Sequence, residues 1–199
     1  MPTDDVLKNE FKTIILPMYK KLYPKSPMPA ELEVWPGDQV DGGAVQGLVY
    51  VTEAVGKQLR AIRLYAMAHE SGHVATVEQA TILGLGTSIP GAGTIVYKKS
   101  EYLADLIGLH TIRRCDSQLA ETIRGYFSQI NTLLGNGDDM HPSGDKRVAL
   151  MTEYMVNATA PAVTSSSAQG LNAAVKNAES ASQTFGQIFR RIWAATVLD

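Results

Sequence analysis

The sequence predicts an α+β fold that is mostly helical, with a small sheet beside one long helix. Apolar residues recur at three- to four-residue spacing over most of the 199-residue chain, which is typical of amphipathic helices. A segment rich in β-branched and aromatic residues interrupts this pattern near residues 44–52, directly after a run of turn-forming residues. A chain of this length is expected to bury one well-formed hydrophobic core.

The N-terminal part of the chain contributes one helix and the predicted sheet. We predict a helix over 3–23, followed by the linker PKSPMP at 24–29. A short strand is predicted at 31–35, a turn region at 36–43 and a strand at about 44–52. The sheet therefore comes directly before the longest helical pattern in the chain.

The rest of the chain is predicted to be helical apart from one glycine-rich loop. The predicted helices cover 54–77, 100–114, 117–134, 146–156 and 170–197. Residues 79–98 are rich in glycine and predict a loop with room for a short hairpin. The apolar positions of the last helix either dock on the core or bind a protein partner.

Four parts follow from this division of the chain. Residues 1–29 form an N-terminal helix and linker, and residues 30–156 form the core. The small and polar residues 157–168 form a second linker, and residues 169–199 form a C-terminal helical tail.

Composition excludes several classes of protein. Eighteen Lys and Arg face 20 Asp and Glu, so the net charge of −2 disfavours a nucleic-acid partner. The single cysteine, Cys115, excludes an internal disulfide and a multi-cysteine zinc site. No apolar stretch is long enough to span a membrane, and the N-terminus lacks the pattern of a secretory signal. The sequence predicts a cytoplasmic protein, or one exported without a cleavable signal peptide.

The most informative motif lies at residues 68–73. His69 and His73 are four positions apart on a predicted helix, so their imidazoles share a face and can bind one metal ion. Glu70 lies beside them, which completes the H-E-x-x-H arrangement of two zinc ligands and a general base. Gly72 costs a helix about 1 kcal/mol relative to Ala, which indicates close approach by another backbone or by a substrate.

A catalytic zinc site needs a third protein ligand, and two residues remain as candidates. A metzincin-type third histidine would fall at position 79, which is Gln79. Glu101 shares a helix face with Asp105, so Glu101 can bind zinc while Asp105 accepts a hydrogen bond from a ligand histidine. His141, after a loop rich in Gly and Asp, is the second candidate. His110 lies on the opposite side of the helix from Glu101 and is predicted to be structural.

Three blocks, taken in order, resemble the gluzincin metallopeptidases, and specifically the family of the CAAX prenyl protease and the HtpX heat-shock protease with its soluble relatives. The blocks are HExxH at 69–73, ExxAD followed by a glycine at 101–108, and HPxxxxRV at 141–148. Residues 42–52 are similar to the family's active-site edge strand and the strand after it. The resemblance covers about residues 30–155 and implies a zincin-like core.

The resemblance also implies roles for individual residues. The implied zinc ligands are His69, His73 and Glu101. Glu70 would activate water, Asp105 would orient a ligand histidine, and Arg147 would hold the site or contact the substrate. His141 either caps the zinc in a latent enzyme or acts in catalysis. The candidates for a donor to the transition-state oxyanion are His141, Arg147, Tyr102 and Tyr154.

The sequence therefore predicts a zinc metalloendopeptidase whose partner is a peptide or protein substrate, bound extended along residues 42–46. Two alternatives remain. One is an exported zinc hydrolase that acts as a toxin or effector. The other is a non-catalytic, zinc-containing interaction module, in which His141 closes the metal site and the terminal helix binds a protein partner.

Overall fold

The computed structural model describes residues 3–158 and 167–198, and confirms an α+β fold that is mostly helical with one small sheet. The strands are β1 (Glu33–Trp35), β2 (Gly42–Val45) and β3 (Leu48–Thr52). The first helices are α1 (Thr3–Glu10), a π-helical turn (Phe11–Ile15), α2 (Leu16–Leu22), α3 (Glu53–Gly56) and α4 (Arg60–Ile82). The others are α5 (Thr94–Cys115), α6 (Ser117–Arg124), α7 (Phe127–Leu134), α8 (Gly144–Asn157) and α9 (Ser167–Ala194).

The N-terminal helix is continuous from α1 to α2 and supports α4 from behind. The π-helical turn ends two residues before Pro17, whose missing amide hydrogen breaks the regular bonding ladder. Tyr19 is buried and donates its hydroxyl hydrogen to the carbonyl oxygen of Ala68. Glu10 pairs with Arg63 of α4 at 2.6 Å. The helix predicted over 3–23 is thus confirmed, and it braces the residue next to His69.

The sheet has the order β1-β3-β2, with β1 parallel and β2 antiparallel to β3. The prediction of one continuous strand over 44–52 is wrong, because the chain reverses at Gln46 and Gly47 and forms a hairpin. Val45 pairs with Leu48 across this turn, and Gly47 has a φ of +80°, which suits a two-residue hairpin turn. The hairpin places β2 at an edge of the sheet.

Helix α4 is shifted along the chain from its predicted place, and α5 is longer than the sequence predicts. The predicted helix 54–77 divides into α3 and α4, and α4 continues to Ile82. Helix α5 begins at Thr94 rather than at the predicted Ser100, so the predicted loop 79–98 shortens to residues 83–93. Gly84 and Gly93 have positive φ values of 72° and 61°, and these left-handed residues limit the two helices.

Helices α4 and α5 cross with their backbones in contact. A Cβ atom at Gly72 would lie 2.5 Å from the carbonyl oxygen of Ala104. A Cβ atom at Gly108 would lie 3.1 Å from the carbonyl oxygen of Ala68. This contact confirms the close backbone approach predicted at Gly72, and it places the histidine face of α4 against α5.

The C-terminal half completes the core. The helix predicted over 117–134 divides into α6 and α7 around Gly125, and α8 covers the predicted 146–156. Helix α9 packs on α5 and α8, so its described part docks on the core. Among the described side chains of α9, the buried apolar ones are Ala181, Phe185, Ile188, Phe189, Ile192 and Trp193. Residues 159–166 of the predicted linker, and the side chains of Leu171 and Val175, lie outside the described residues.

Lys99 connects this last helix to the rest of the fold. Its side chain is buried, and its ammonium group donates to the carbonyl oxygens of Trp193 at 2.8 Å and Pro90 at 2.6 Å. The C-terminal end of α9 and the loop before α5 are therefore joined beside Ser100. In the described part of the chain, no helix is both long and apolar enough to cross a membrane.

Candidate metal centre and cleft

Helices α4 and α5 bring three metal-ligand side chains to one point. The Nε2 atoms of His69 and His73 are 3.2 Å apart. One carboxylate oxygen of Glu101 lies 3.3 Å from Nε2 of His69, and the other lies 3.3 Å from Nε2 of His73. Ligand atoms bound tetrahedrally to zinc at about 2.0–2.1 Å are separated from each other by about 3.3 Å. The spacing of this trio therefore fits a tetrahedral zinc ion.

Glu70 lies next to the trio and faces the same space. Its Oε1 atom is 3.9 Å from Nε2 of His69, and the ligand atoms of His69, Glu70 and His73 all lie within 4.8 Å of one another. Glu101 is closer to both imidazoles, so Glu101 rather than Glu70 fits the third ligand position. A Cβ atom at Gly42 of β2 would lie 2.8 Å from Oε1 of Glu70, so the edge strand meets this carboxylate with its backbone.

Both histidine rings are oriented through Nδ1. Asp105 lies 2.8 Å from Nδ1 of His69 and also accepts the hydroxyl hydrogen of Tyr65. Nδ1 of His73 is 2.9 Å from the hydroxyl oxygen of Ser100. These contacts turn both Nε2 atoms towards Glu101, and such outer contacts fix the tautomer of ligand histidines. Asp105 thus occupies its predicted place. Sequence reasoning missed Tyr65, four residues before His69 on one helix face, and Ser100, next to Glu101.

Arg147 of α8 lies behind the trio. Its Nε and Nη2 atoms each lie 2.7 Å from the Asp105 carboxylate, and its Nη1 atom lies 3.1 Å from Glu101. The side chain is 4% exposed. This bidentate pair positions the two carboxylates, so the geometry favours the predicted holding role of Arg147 over a direct contact with substrate.

The three buried acids of this cluster have pKa values that are shifted in different directions. Burial acts to raise the pKa of Glu101, but the hydrogen bonds from His69 and His73 outweigh it and hold that pKa well below its ordinary value. Burial also acts to raise the pKa of Asp105, but the positive charge of Arg147 outweighs burial and holds that pKa well below its ordinary value. Burial raises the pKa of Glu70.

Two buried carboxylates therefore stay ionised beside a third acidic group, while Arg147 contributes one permanent positive charge. Buried charges in proteins are paired with opposite charges or coordinate metals. Burial and Arg147 act to lower the pKa of His69, but Asp105 and Glu101 outweigh them and raise it to about 10, so a protonated His69 adds a second positive charge in the metal-free site. A divalent cation held by Glu101 and the histidines would take the place of that proton as the balancing charge. The donor set and its charge thus both fit a zinc ion.

A cavity of about 380 Å³ opens above the trio. Its polar part is formed by His69, Glu70, His73 and Glu101, and β2 forms one side. Its apolar lining includes Val55, Ile62, Ala66, Ile130, Leu133, Leu134 and Met140. A second cavity of about 330 Å³ shares Ala44 and His73 with the first and is lined by Pro27, Val45, Val74 and Val77. Apolar space therefore lies in two cavities that share Ala44 and His73.

The remaining candidates lie away from the trio. His141 borders the main cavity, but its Nδ1 atom contacts Asp138, and among the described residues it makes no hydrogen bond to the trio. Tyr102 lines a smaller cavity instead. Tyr154 is buried, with its hydroxyl oxygen 2.8 Å from Nδ1 of His110, so it is not brought to the cleft. His110 also stacks on Phe185, which agrees with its predicted structural role.

No protein-family model matches this chain, and no curated protein and no solved structure matches it either. The resemblance of the three sequence blocks therefore stays a prediction, and the argument for function depends on the geometry of the cleft.

Proposed function

We propose that this protein is a zinc-dependent metallopeptidase that cleaves extended polypeptide segments. The observation that carries the proposal is the convergence of His69, His73 and Glu101 at spacings of 3.2 and 3.3 Å. Glu70 lies beside them, and all four residues border one open cavity.

His69, His73 and Glu101 would hold the zinc, and three protein ligands leave a position for water or substrate. When bound, zinc supplies a Lewis acid that polarises a carbonyl group and lowers the pKa of water. Asp105 and Ser100 keep the two imidazoles turned towards Glu101, and Arg147 keeps both carboxylates in place. Their arrangement supports a preformed site.

Glu70 is the residue that moves protons in this proposal. It accepts a proton from the attacking water as the new bond between oxygen and the carbonyl carbon forms. It then delivers that proton to the departing amine nitrogen as the bond between carbon and nitrogen breaks. The products are one carboxylic acid and one amine, so the reaction consumes one water.

The substrate would lie along β2. An edge strand presents unpaired backbone groups that an extended chain can bond, and the close approach of Gly42 to Glu70 puts this edge beside the proposed base. The main cavity offers an apolar wall that includes Ile130 and Leu133, and the second cavity offers Val74 and Val77. We therefore propose substrates with large apolar side chains on both sides of the cleaved bond.

Metal content tests the ligand set. Wild type, His69→Ala, Glu101→Ala and the control Glu121→Ala would be purified and supplied with zinc, and bound zinc would be measured by mass spectrometry. Glu121 is an exposed acid on α6 and serves as a matched control. We expect one equivalent of zinc in wild type and control, and loss in both ligand variants. A folded wild type that binds no zinc would overturn the proposal.

Hydrolysis of fluorescein-labelled casein tests the base. Glu70→Gln is expected to keep its zinc and to lose a factor of about 10²–10⁴ in rate, which is typical of a removed general base. Glu121→Gln is the control and should keep the wild-type rate. Wild-type activity in the zinc-loaded Glu70→Gln protein would exclude Glu70 as the base.

A further inference from the structure

We propose that Tyr50 is a specificity-determining residue that binds a basic side chain of the substrate on the outer face of the sheet, next to the metal centre. This preference rests on the proposed function, because it takes the substrate to be an extended chain along β2. Its structural basis is the hydroxyl group of Tyr50, which lies over Gly43 of that edge strand.

The two glycines of β2 face opposite sides of the sheet, since side chains alternate along a strand. Gly42 faces α4, where a Cβ atom would lie 2.8 Å from a carboxylate oxygen of Glu70. Gly43 therefore faces the outer side, as does Tyr50, its partner in the register of β2 and β3. The outer face thus carries Tyr50 one residue away from the point where the edge strand meets the proposed base.

The end of the Tyr50 ring takes the place of a side chain at Gly43. A Cβ atom at Gly43 would lie 2.6 Å from both Cε1 and the hydroxyl oxygen of Tyr50. Residues directly opposite each other on antiparallel strands have Cβ atoms about 4.5–5.5 Å apart, and such pairs are in contact. A substrate residue opposite Gly43 would therefore have the Tyr50 hydroxyl group as its neighbour across the strands.

Trp35 of β1 supports the Tyr50 ring on this face. The two rings are stacked, with 3.7 Å between their centroids and 12° between their planes. The indole N–H of Trp35 donates to the carboxylate of Glu33 at 2.8 Å, and the indole is 42% exposed. Among the described residues, the hydroxyl group of Tyr50 has no hydrogen-bond partner. A supported aromatic ring with a free hydroxyl group is therefore presented at the edge of the sheet.

The charges around this ring favour a cation. Glu33 and Asp41 are exposed acids at the ends of β1 and β2. Partial burial and the negative charges of Asp41 and Glu70 raise the pKa of Tyr50. The single basic residue between positions 30 and 59, Lys57, pairs with a different acid 3.9 Å away. The surroundings of the Tyr50 hydroxyl are thus negative and have no cation of their own.

A lysine or arginine side chain suits this surface in both shape and charge. Its apolar stem can lie along the aromatic pair while its charged end stays in water. The charged end can donate to the hydroxyl oxygen of Tyr50 and is attracted by the aromatic ring. Along the substrate, the apolar side chains that face the two cavities would then alternate with a basic side chain that faces outward.

Alternating peptides test this preference without knowledge of the natural substrate. An end-capped peptide of alternating leucine and arginine has all its arginines on one face, so a register shift of two residues presents the same face to Tyr50. A second peptide carries citrulline, the neutral counterpart of arginine, at the same positions. We expect zinc-loaded wild type to cleave the arginine peptide with a kcat/KM about tenfold higher, as measured by chromatography of the products.

Substitutions of Tyr50 locate the source of the preference. Tyr50→Phe removes only the hydroxyl group and should lower the ratio of the two kcat/KM values to about threefold. Tyr50→Leu also removes the ring and should lower it to about twofold, which is left by long-range attraction to the acidic surface. Tyr126→Phe is the matched control, because Tyr126 lies at the start of α7, and it should keep the tenfold ratio. Zinc content should be the same in all four proteins.

Two kinetic results would overturn the inference and leave the proposed function intact. One is a ratio near one in a wild type that cleaves both peptides, which would show that the outer face does not select a basic side chain. The other is a tenfold ratio that survives in Tyr50→Leu, which would show that the selection occurs elsewhere.

The indole N–H signals of the two tryptophans report the contact without any hydrolysis. Trp35 stacks on Tyr50, whereas Trp193 is 5% exposed and serves as an internal control. In metal-free wild type, the arginine peptide should shift the signal of Trp35 and not that of Trp193. The citrulline peptide should need about a tenfold higher concentration. The spectrum of Trp35→Phe assigns the two signals.

An unchanged Trp35 signal at saturating arginine peptide would overturn the contact on the outer face. A wild type that binds no zinc or cleaves neither peptide would instead overturn the proposed function. The titration of the metal-free protein then still decides whether this face binds a basic side chain.

Discussion

The same contact, a carboxylate on Nδ1 of a histidine, occurs in two different settings in this protein. Asp105 and His69 lie in the buried junction of α4, α5 and α8, where the Asp105 side chain is 0% exposed. Asp138 and His141 lie in the loop 135–143, where the Asp138 side chain is 63% exposed. In the junction, packing and buried charge hold the histidine. In the loop, hydrogen bonds from the backbone amides of Met140 and His141 to Asp138 hold the histidine.

The largest expected difference between the two settings comes from removing one charge. Arg147→Met leaves Asp105 and Glu101 buried without their guanidinium, which we expect to lower the free energy of unfolding by about 3–5 kcal/mol in metal-free protein. Asp138→Asn breaks only exposed contacts and should leave the free energy of unfolding nearly unchanged. Urea denaturation of both variants measures this, and equal losses would contradict the distinction.

A second substitution tests whether the contact between the backbones of α4 and α5 also stabilises the junction. Gly72→Ala adds a Cβ atom 2.5 Å from the carbonyl oxygen of Ala104, so the helices must separate. We expect a loss of about 1–3 kcal/mol, although alanine is the better helix former by about 1 kcal/mol. Gly86→Ala is the control, because nothing lies within 4 Å of its Cβ position. Unchanged or increased stability of Gly72→Ala would refute a tight crossing.

A third histidine, His110, is buried without a carboxylate beside it, and its pKa makes the stability of the fold depend on pH. Burial, with smaller effects of Arg114 and Arg113, lowers the pKa of His110 from its ordinary value near 6.5 to about 3. Between these two values the unfolded chain binds the proton and the folded protein does not, so stability falls as the pH falls.

We therefore expect wild type to lose about 2 kcal/mol through His110 between pH 7 and pH 5. His110→Gln should remove this part of the pH dependence. Denaturation curves at several pH values measure the difference between the two proteins, which should grow steadily below pH 6.5. Parallel stability profiles for wild type and variant would exclude His110 as the source.

The smallest effect concerns the outer contact of His73. Ser100→Ala removes the hydrogen bond to Nδ1 of His73 and should weaken zinc binding by about tenfold with little change in fold. Thr81→Ala removes a hydroxyl that bonds its own helix on α4, and it should leave zinc affinity unchanged. Competition with a chromophoric chelator measures both. Equal affinities in the two variants would show that Ser100 does not orient His73.

The sequence alone predicted the trio well, because regular helix spacing fixes which side chains share a face. His69 and His73 are one turn apart, and Glu101 and Asp105 are one turn apart. Their meeting depends on how α4 crosses α5, which Gly72 indicated through its unfavourable place in a helix. Asp138 was not predicted, because an acid three residues before a histidine is common in polar loops.

The errors in the fold have related physical causes. The turn at Gln46 and Gly47 divides a segment whose residues all suit a strand, so composition did not reveal the hairpin. The start of α5 was placed at Ser100, because residues 94–99 follow a run of glycines and have weak helical periodicity. The contact of Lys99 with Trp193 stabilises this first turn from a distant part of the chain, and local pattern cannot report it.

The glycine crossing of α4 and α5 has a consequence for tracing the ancestry of this chain. Gly72 and Gly108 contribute no side chain to the metal centre, yet the separation of the two helices depends on them. A relative that keeps the histidines and Glu101 but carries bulkier residues at both glycines would hold its helices further apart. A search pattern for distant homologues should therefore join HExGH to ExxADxxG and treat the two small residues as strictly as the ligands themselves.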